Sequence, residues 1–229
     1  MPSAPSQTGE ISSAAADGNR QFHAELADGL HALAQPLTIL RSAIEMMGVC
    51  RQSGKDDQRY VELSMEHIQR ACDMFDSIQG LMLTRLVPAK NGPVDFGAVA
   101  SRVVEEKNIV LKARGIGIAS AIAPDLRPAA GDAERAEEAI AAAIDAAALM
   151  AAEGDVIQLL VAETGGFIEL SVRGANKAGA AMPAAARLCL SLARAHILSQ
   201  QGRYYFVDEP FSISLALPIS TVLSSAARQ

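Results

Sequence analysis

Leu26-Ala-Asp-Gly-Leu-His-Ala-Leu-Ala-Gln-Pro-Leu-Thr-Ile-Leu-Arg-Ser-Ala-Ile-Glu-Met-Met47 is the stretch on which the reading of this chain turns. Within it Leu26, Leu30, Leu33, Leu37, Leu40, Ile44 and Met47 recur at alternating spacings of four and three, a heptad seam that predicts a helix packed against other helices. His31 stands one residue past a seam leucine, so on a helix its imidazole points away from the apolar stripe. Pro36 follows five residues later. It has no N–H to give the carbonyl of Ala32, a fault of about 3 kcal/mol in a helix interior. A packed helix that keeps such a fault next to an outward-facing histidine points to a function for both.

A second seam runs through Val61, Met65, Ile68, Cys72, Phe75, Ile78 and Met82, separated from the first by Ser53-Gly54 and Asp56-Asp57. Glycine accommodates a helix stop, and acidic residues suit the start of the next helix. Two long amphipathic helices on a short loop predict an antiparallel hairpin over residues 21–87. Such a hairpin cannot hide two seams alone, so dimerisation into a four-helix bundle is the expected arrangement, the other being that both seams pack onto the C-terminal part. Residues 1–20 are rich in Ser, Ala and Gly without periodicity and are expected to be a disordered tail.

Beyond a linker from Pro88 to Pro93, the pattern changes to one of alternating helices and strands. Helices are expected from Val94 to Val110, Asp132 to Ala152 and Pro183 to Gln200. Strands are expected from Gly115, and at Val156–Glu163, Phe167–Arg173, Tyr204–Val207 and Phe211–Leu217, with Gly165-Gly166 as a hairpin turn. The fold class is therefore α+β: a helical hairpin, then an α/β sandwich of about five strands over residues 94–220.

Composition narrows the function classes. In 229 residues half are apolar, so a core can form, while aromatics are only 4% and Trp is absent, favouring closely packed helices. A net charge of −6 argues against nucleic acid or an anionic membrane as partner. With no long apolar run and no signal-peptide core, a cytoplasmic protein is expected. Cys50, Cys72 and Cys189 are too widely spaced for a zinc site or a disulfide framework and are read as reduced, mostly buried thiols. His23, His67 and His196 have no matching ligand partners, so no metal site is expected, and Arg51, Lys55 and Arg59 read as solvated surface.

The run His31-x-Leu33-x-Gln35-Pro36-Leu37-Thr38-x-Leu40 resembles the H-box of the dimerisation and phosphoacceptor helix of two-component sensor histidine kinases. In that family the histidine carries a phosphoryl group. From Val94-Asp95-Phe96 to Leu215-Ala216-Leu217-Pro218 the order of elements is similar to the family's Bergerat-type ATP-binding domain, and the resemblance spans nearly all of the chain from residue 21. It implies the phosphoacceptor role for His31 and a helix bend at Pro36. Asp28, Gln35, Thr38 and Arg41, within a turn or two of His31, become candidates to touch a docked partner.

The departures from the family are as informative. Its acidic residue after the histidine is Ala32 here. Counting from Gly131-Asp132-Ala133-Glu134-Arg135, its nucleotide and magnesium asparagines fall at Ala142 and Ala146, and alanine offers no oxygen to a metal. Its adenine-reading aspartate falls at Gly174 in Gly174-Ala175-Asn176-Lys177-Ala178, and its phosphate-cradling glycines fall at Arg187 and Cys189.

The resemblance thus implies a dimeric histidine phosphotransferase of a bacterial phosphorelay rather than an autokinase. His31 would pass a phosphoryl group between receiver aspartates of response regulators, one of them in an upstream hybrid histidine kinase. The chain would need no cofactor of its own, since the receiver would supply the magnesium ion. Two other readings stay open: a non-catalytic pseudokinase scaffold, and a receiver phosphatase that uses Gln35 to orient water.

Overall fold

The computed structural model describes residues 8–52, 57–174 and 181–221, with side chains described from residue 20 onward. The chain forms two compact units, one up to Ile78 and one from Gln79. No helix among the described residues is long and apolar enough to cross a membrane.

The first unit holds helix α1 (Thr8–Gln52) and most of helix α2 (Gln58–Leu86). Arg51 Nε donates to Asp57 Oδ2 at 2.6 Å across the connection, so one of the three basic residues read as solvated surface has a carboxylate partner, and Lys55 lies outside the described residues. Helix α1 starts earlier than expected, at Thr8, so the later part of the expected tail is helical. The physical reason is that extending an existing helix fixes one residue per hydrogen bond, and the alanines at 14–16 are good helix formers.

Each helix buries one stripe within this unit. On α1 it runs through Ala32, Pro36, Ala43 and Cys50; on α2 through Ser64, His67, Met74 and Ile78. Apart from Ile78, these are not the seam residues expected from the sequence. On α1 the seam positions Leu30, Leu37 and Ile44 are exposed while Leu26, Leu33, Leu40 and Met47 are half-buried; on α2 Met65, Ile68, Cys72, Phe75 and Met82 are exposed. A second stripe, made largely of small or polar residues that apolar periodicity does not reveal, faces inward instead. Cys72 is accordingly an exposed thiol rather than a buried one, with Cys50 buried and Cys189 half-buried.

In the second unit β1 (Gly92–Val94) pairs antiparallel with β3 (Ala129–Gly131), two short strands that were not expected, β1 at the end of the expected linker and β3 just before the helix expected from Asp132. Three-residue strands are too short for alternation to betray them. Asp95 caps helix α3 (Phe96–Ala113) by accepting from the Ala98 N–H at 2.9 Å, and Asp132 caps α4 (Ala133–Met150) by accepting from the Glu134 N–H at 3.1 Å. Helix α5 (Ala184–Leu198) begins after Pro183, which cannot donate inside a helix but is tolerated at its entrance.

The main sheet contains β2 (Gly117–Ile122), β4 (Val156–Thr164), β5 (Phe167–Arg173), β6 (Arg203–Val207) and β7 (Ser212–Pro218), in the order β2-β4-β5-β7-β6. Only the β2–β4 pair is parallel; the other neighbours are antiparallel. Gly165 and Gly166 form the β4–β5 turn with φ of 57° and 83°, a backbone that L side chains rarely adopt. Alternation then divides the sheet. Ile157, Leu159, Val161, Ile168, Leu170, Val172, Ile213, Leu215 and Leu217 are buried in the core with residues of α3, α4 and α5, while Val156, Gln158, Leu160, Arg173 and Tyr205 are exposed.

Candidate functional site

His31 is exposed on α1. Asp28, Gln35, Thr38 and Arg41 are exposed as well. At 100° per residue His31, Gln35 and Thr38 share one side of the helix, about a third of a turn round from the buried stripe, and Arg41 lies nearly opposite that stripe. Arg41 Nε donates to Glu45 Oε1 at 2.9 Å, and the Thr38 hydroxyl donates to the Ala34 carbonyl at 2.8 Å, both interactions within α1. Pro36 sits inside the helix on its buried side, so the carbonyl of Ala32 lacks its helical donor one turn from the histidine. Ala32 itself is 7% exposed. A carboxylate there would be desolvated, so the position of the missing acid faces the packed side of this helix.

The second unit shows what occupies the other sequence-marked positions. Ala142 and Ala146 are 4% and 0% exposed on the face of α4 that also carries Ala139, Ala143 and Ala147. Helix α5 packs against α4, with Ala186, Leu190, Ala193 and Ile197 in the same core. Methyl groups on α4 let α5 approach closely, and the approach leaves no room for longer side chains. Gly174 follows β5; its N–H donates to the Phe211 carbonyl at 3.3 Å, and a Cβ there would come within 3.2 Å of the Phe211 ring. An aspartate at 174 would therefore press on the ring of a core phenylalanine that is 1% exposed, which would have to shift by a few tenths of an ångström. Cys189 is half-buried on α5, and residues 175–178, read as the remainder of the adenine motif, lie outside the described residues.

The structure also assembles a polar cluster that sequence reasoning missed. His196 on α5 is 3% exposed, with Nε2 at 2.9 Å from Glu138 Oε2 but out of hydrogen-bond alignment. Burial, and then the nearby Arg135 guanidinium, push its pKa down to about 4. Arg135 donates to Ser199 Oγ at 2.7 Å and to the Val87 carbonyl. The Gln200 amide accepts from the Asp132 N–H at 2.6 Å and donates to the His196 carbonyl at 3.0 Å. Burial raises the Asp132 carboxyl, but the N–H groups of Lys90, Arg135 and Glu134 outweigh it and hold the group below its ordinary value. The cluster ties the 87–90 segment to the start of α4 and the end of α5, which is a structural role. Its sequence signal, a histidine four residues before a glutamine, is too common to be read.

No metal-binding group of three or more His, Cys, Asp or Glu side chains exists among the described residues. No protein-family model matches the chain, and no curated protein matches it. Solved structures do. The Acinetobacter baumannii histidine kinase AdeS aligns over 83% of this chain and 98% of its own at 16% identity, with a TM-score of 0.65. Full-length ShkA, solved in complex with AMPPNP, aligns over 72% of this chain and 39% of its own at 19% identity, with a TM-score of 0.55. At such identities the likeness speaks for architecture, and with the helical region and the five-stranded sheet in place the conclusion is that this chain has the fold of a sensor histidine kinase core, a helical region followed by an α/β domain of ATPase-like fold.

Proposed function

We propose that this chain is a histidine phosphotransferase, a homodimer that relays a phosphoryl group between receiver aspartates through His31 and does not bind ATP. The observation that carries the reading is the contrast between its two halves: His31 is exposed on an H-box-like helix, while Ala142, Ala146 and Gly174 are packed against core residues. In the transfer step the lone pair of an imidazole nitrogen forms the P–N bond as the aspartyl O–P bond breaks, its electron pair staying with the carboxylate. The return step is the reverse on a second receiver. Such chemistry needs position and charge neutralisation more than protein functional groups. Magnesium and a cation come from the receiver, an upstream hybrid kinase being one source of the phosphorylated form.

Dimerisation has its own support. Leu30, Leu37 and Ile44 on α1, with Met65, Ile68, Phe75 and Met82 on α2, are large apolar side chains left exposed in one copy. A second copy covers them as a four-helix bundle, because an isologous seam needs no other partner.

Incubation with a radiolabelled, phosphorylated receiver tests the reading. Acid-labile label should appear on the wild type and not on His31→Ala; absence from both would overturn it and leave the scaffold reading. Should receiver phosphate instead disappear faster with His31→Ala present, and not with Gln35→Ala, the protein is a phosphatase.

A further inference from the structure

The helix-free face of the sheet carries a hollow that phosphotransfer through His31 does not use. Strand alternation and register set two rows side by side on that face, Ala119–Gln158–Arg173 and Ala121–Leu160–Ser171. These six residues, with Ser120 and Leu159, line an open hollow of about 290 Å³. Its depth comes from the two alanines of β2, whose methyl groups stand beside Leu160, still half exposed. The floor is therefore apolar, and the polar groups at the rim, the Arg173 guanidinium, the Gln158 amide and the Ser171 hydroxyl, can all donate hydrogen bonds.

Charge makes the hollow selective. Acidic residues outnumber basic ones in the chain, 26 to 20, yet none lines it. Arg102 and Arg127 in the same unit are each held by a glutamate. Arg173 is exposed and has no carboxylate partner among the described residues. A free guanidinium beside an apolar floor matches a ligand with an oxyanion on a compact apolar body.

We propose that this hollow binds a small organic anion, a carboxylate or a phosphate ester on an aromatic or branched apolar group. Arg173 donates to two of its oxygens in a forked pair, Gln158 and Ser171 donate to the lone pairs that the fork leaves open, and the apolar body lies on Ala119, Ala121 and Leu160. The site lies in the second unit and is independent of His31.

Full-length protein labelled with ¹⁵N, titrated separately with benzoate, phenyl phosphate and inorganic phosphate, tests this. Saturable shifts are expected at the amides of Ala119, Ala121, Gln158, Ser171 and Arg173 with at least one aryl anion, and the stronger of the two identifies the oxyanion. R173Q should weaken binding at least about tenfold, the scale of a charge-assisted pair, and L160E should abolish it, with dispersed spectra showing that both variants fold. Absence of saturation with either aryl anion, equal affinity in R173Q, or inorganic phosphate binding as tightly as phenyl phosphate would each overturn the proposal.

Discussion

At the scale of single residues, exposure and burial separate the two histidines that matter. His31 is exposed, so His31→Ala should leave stability within about 0.5 kcal/mol of wild type in a denaturant titration while abolishing label transfer. His196 is the reverse. Its folded pKa of about 4 lies below the ordinary 6.5, so the unfolded chain takes up the proton first as pH falls. Stability due to this group is complete above pH 6.5 and is lost progressively down to about pH 4, by about 3 kcal/mol at most. Glu138, raised by burial, acts in the opposite sense and only nearer the carboxylate range. Denaturant midpoints between pH 7 and 5 should therefore fall for the wild type and flatten in His196→Gln; equal slopes would show that His196 is not the titrating group.

Individual elements explain how the positions aligned with the family's motifs are packed. Ala142 and Ala146 lie buried on α4 in the packed core, so Ala142→Asn and Ala146→Asn, which place the family's side chains there, add volume to a close-packed site. Each should destabilise by about 1–3 kcal/mol and produce no heat of ATP–magnesium binding in calorimetry. The α5–β6 turn is equally tight. A Cβ on Gly202 would stand 2.5 Å from the Ala216 carbonyl oxygen and 2.8 Å from that of Ile197. Backbone atoms cannot swing aside as a side-chain end can, so Gly202→Ala should lower the unfolding midpoint by a similar amount. Much of the fold was legible from sequence: the Gly165-Gly166 turn and all five strands of the main sheet carry local signals. The short strands β1 and β3 were not, because their pairing is made between residues some forty apart.

For the whole molecule, the exposed seams make the association state the decisive measurement. A dimer of about 48 kDa, twice the 24.0 kDa chain, is expected in sedimentation. Phe75→Asp, at a position 57% exposed in a single copy, should give a folded monomer, because the charge disturbs only what covers that face. Cys72 lies on the same stripe, so a short bis-maleimide reagent should cross-link the wild type and not Phe75→Asp. A wild type that sediments at 24.0 kDa would remove the bundle.

The chain by itself determined the order of helices and strands, the H-box-like run around His31 and the loss of polar side chains at 142, 146 and 174, since these depend on residue type and on periods of two, three and four. Only the tertiary structure decided which stripe of each helix faces inward, because both stripes repeat at helical spacing and only packing distinguishes Ala43 and Met74 from Ile44 and Phe75. It likewise decided that Phe211 lies against Gly174 and that His196 is buried beside Arg135 and Glu138. Those neighbours come from distant parts of the chain, and their closeness is set by how the helices lie on the sheet.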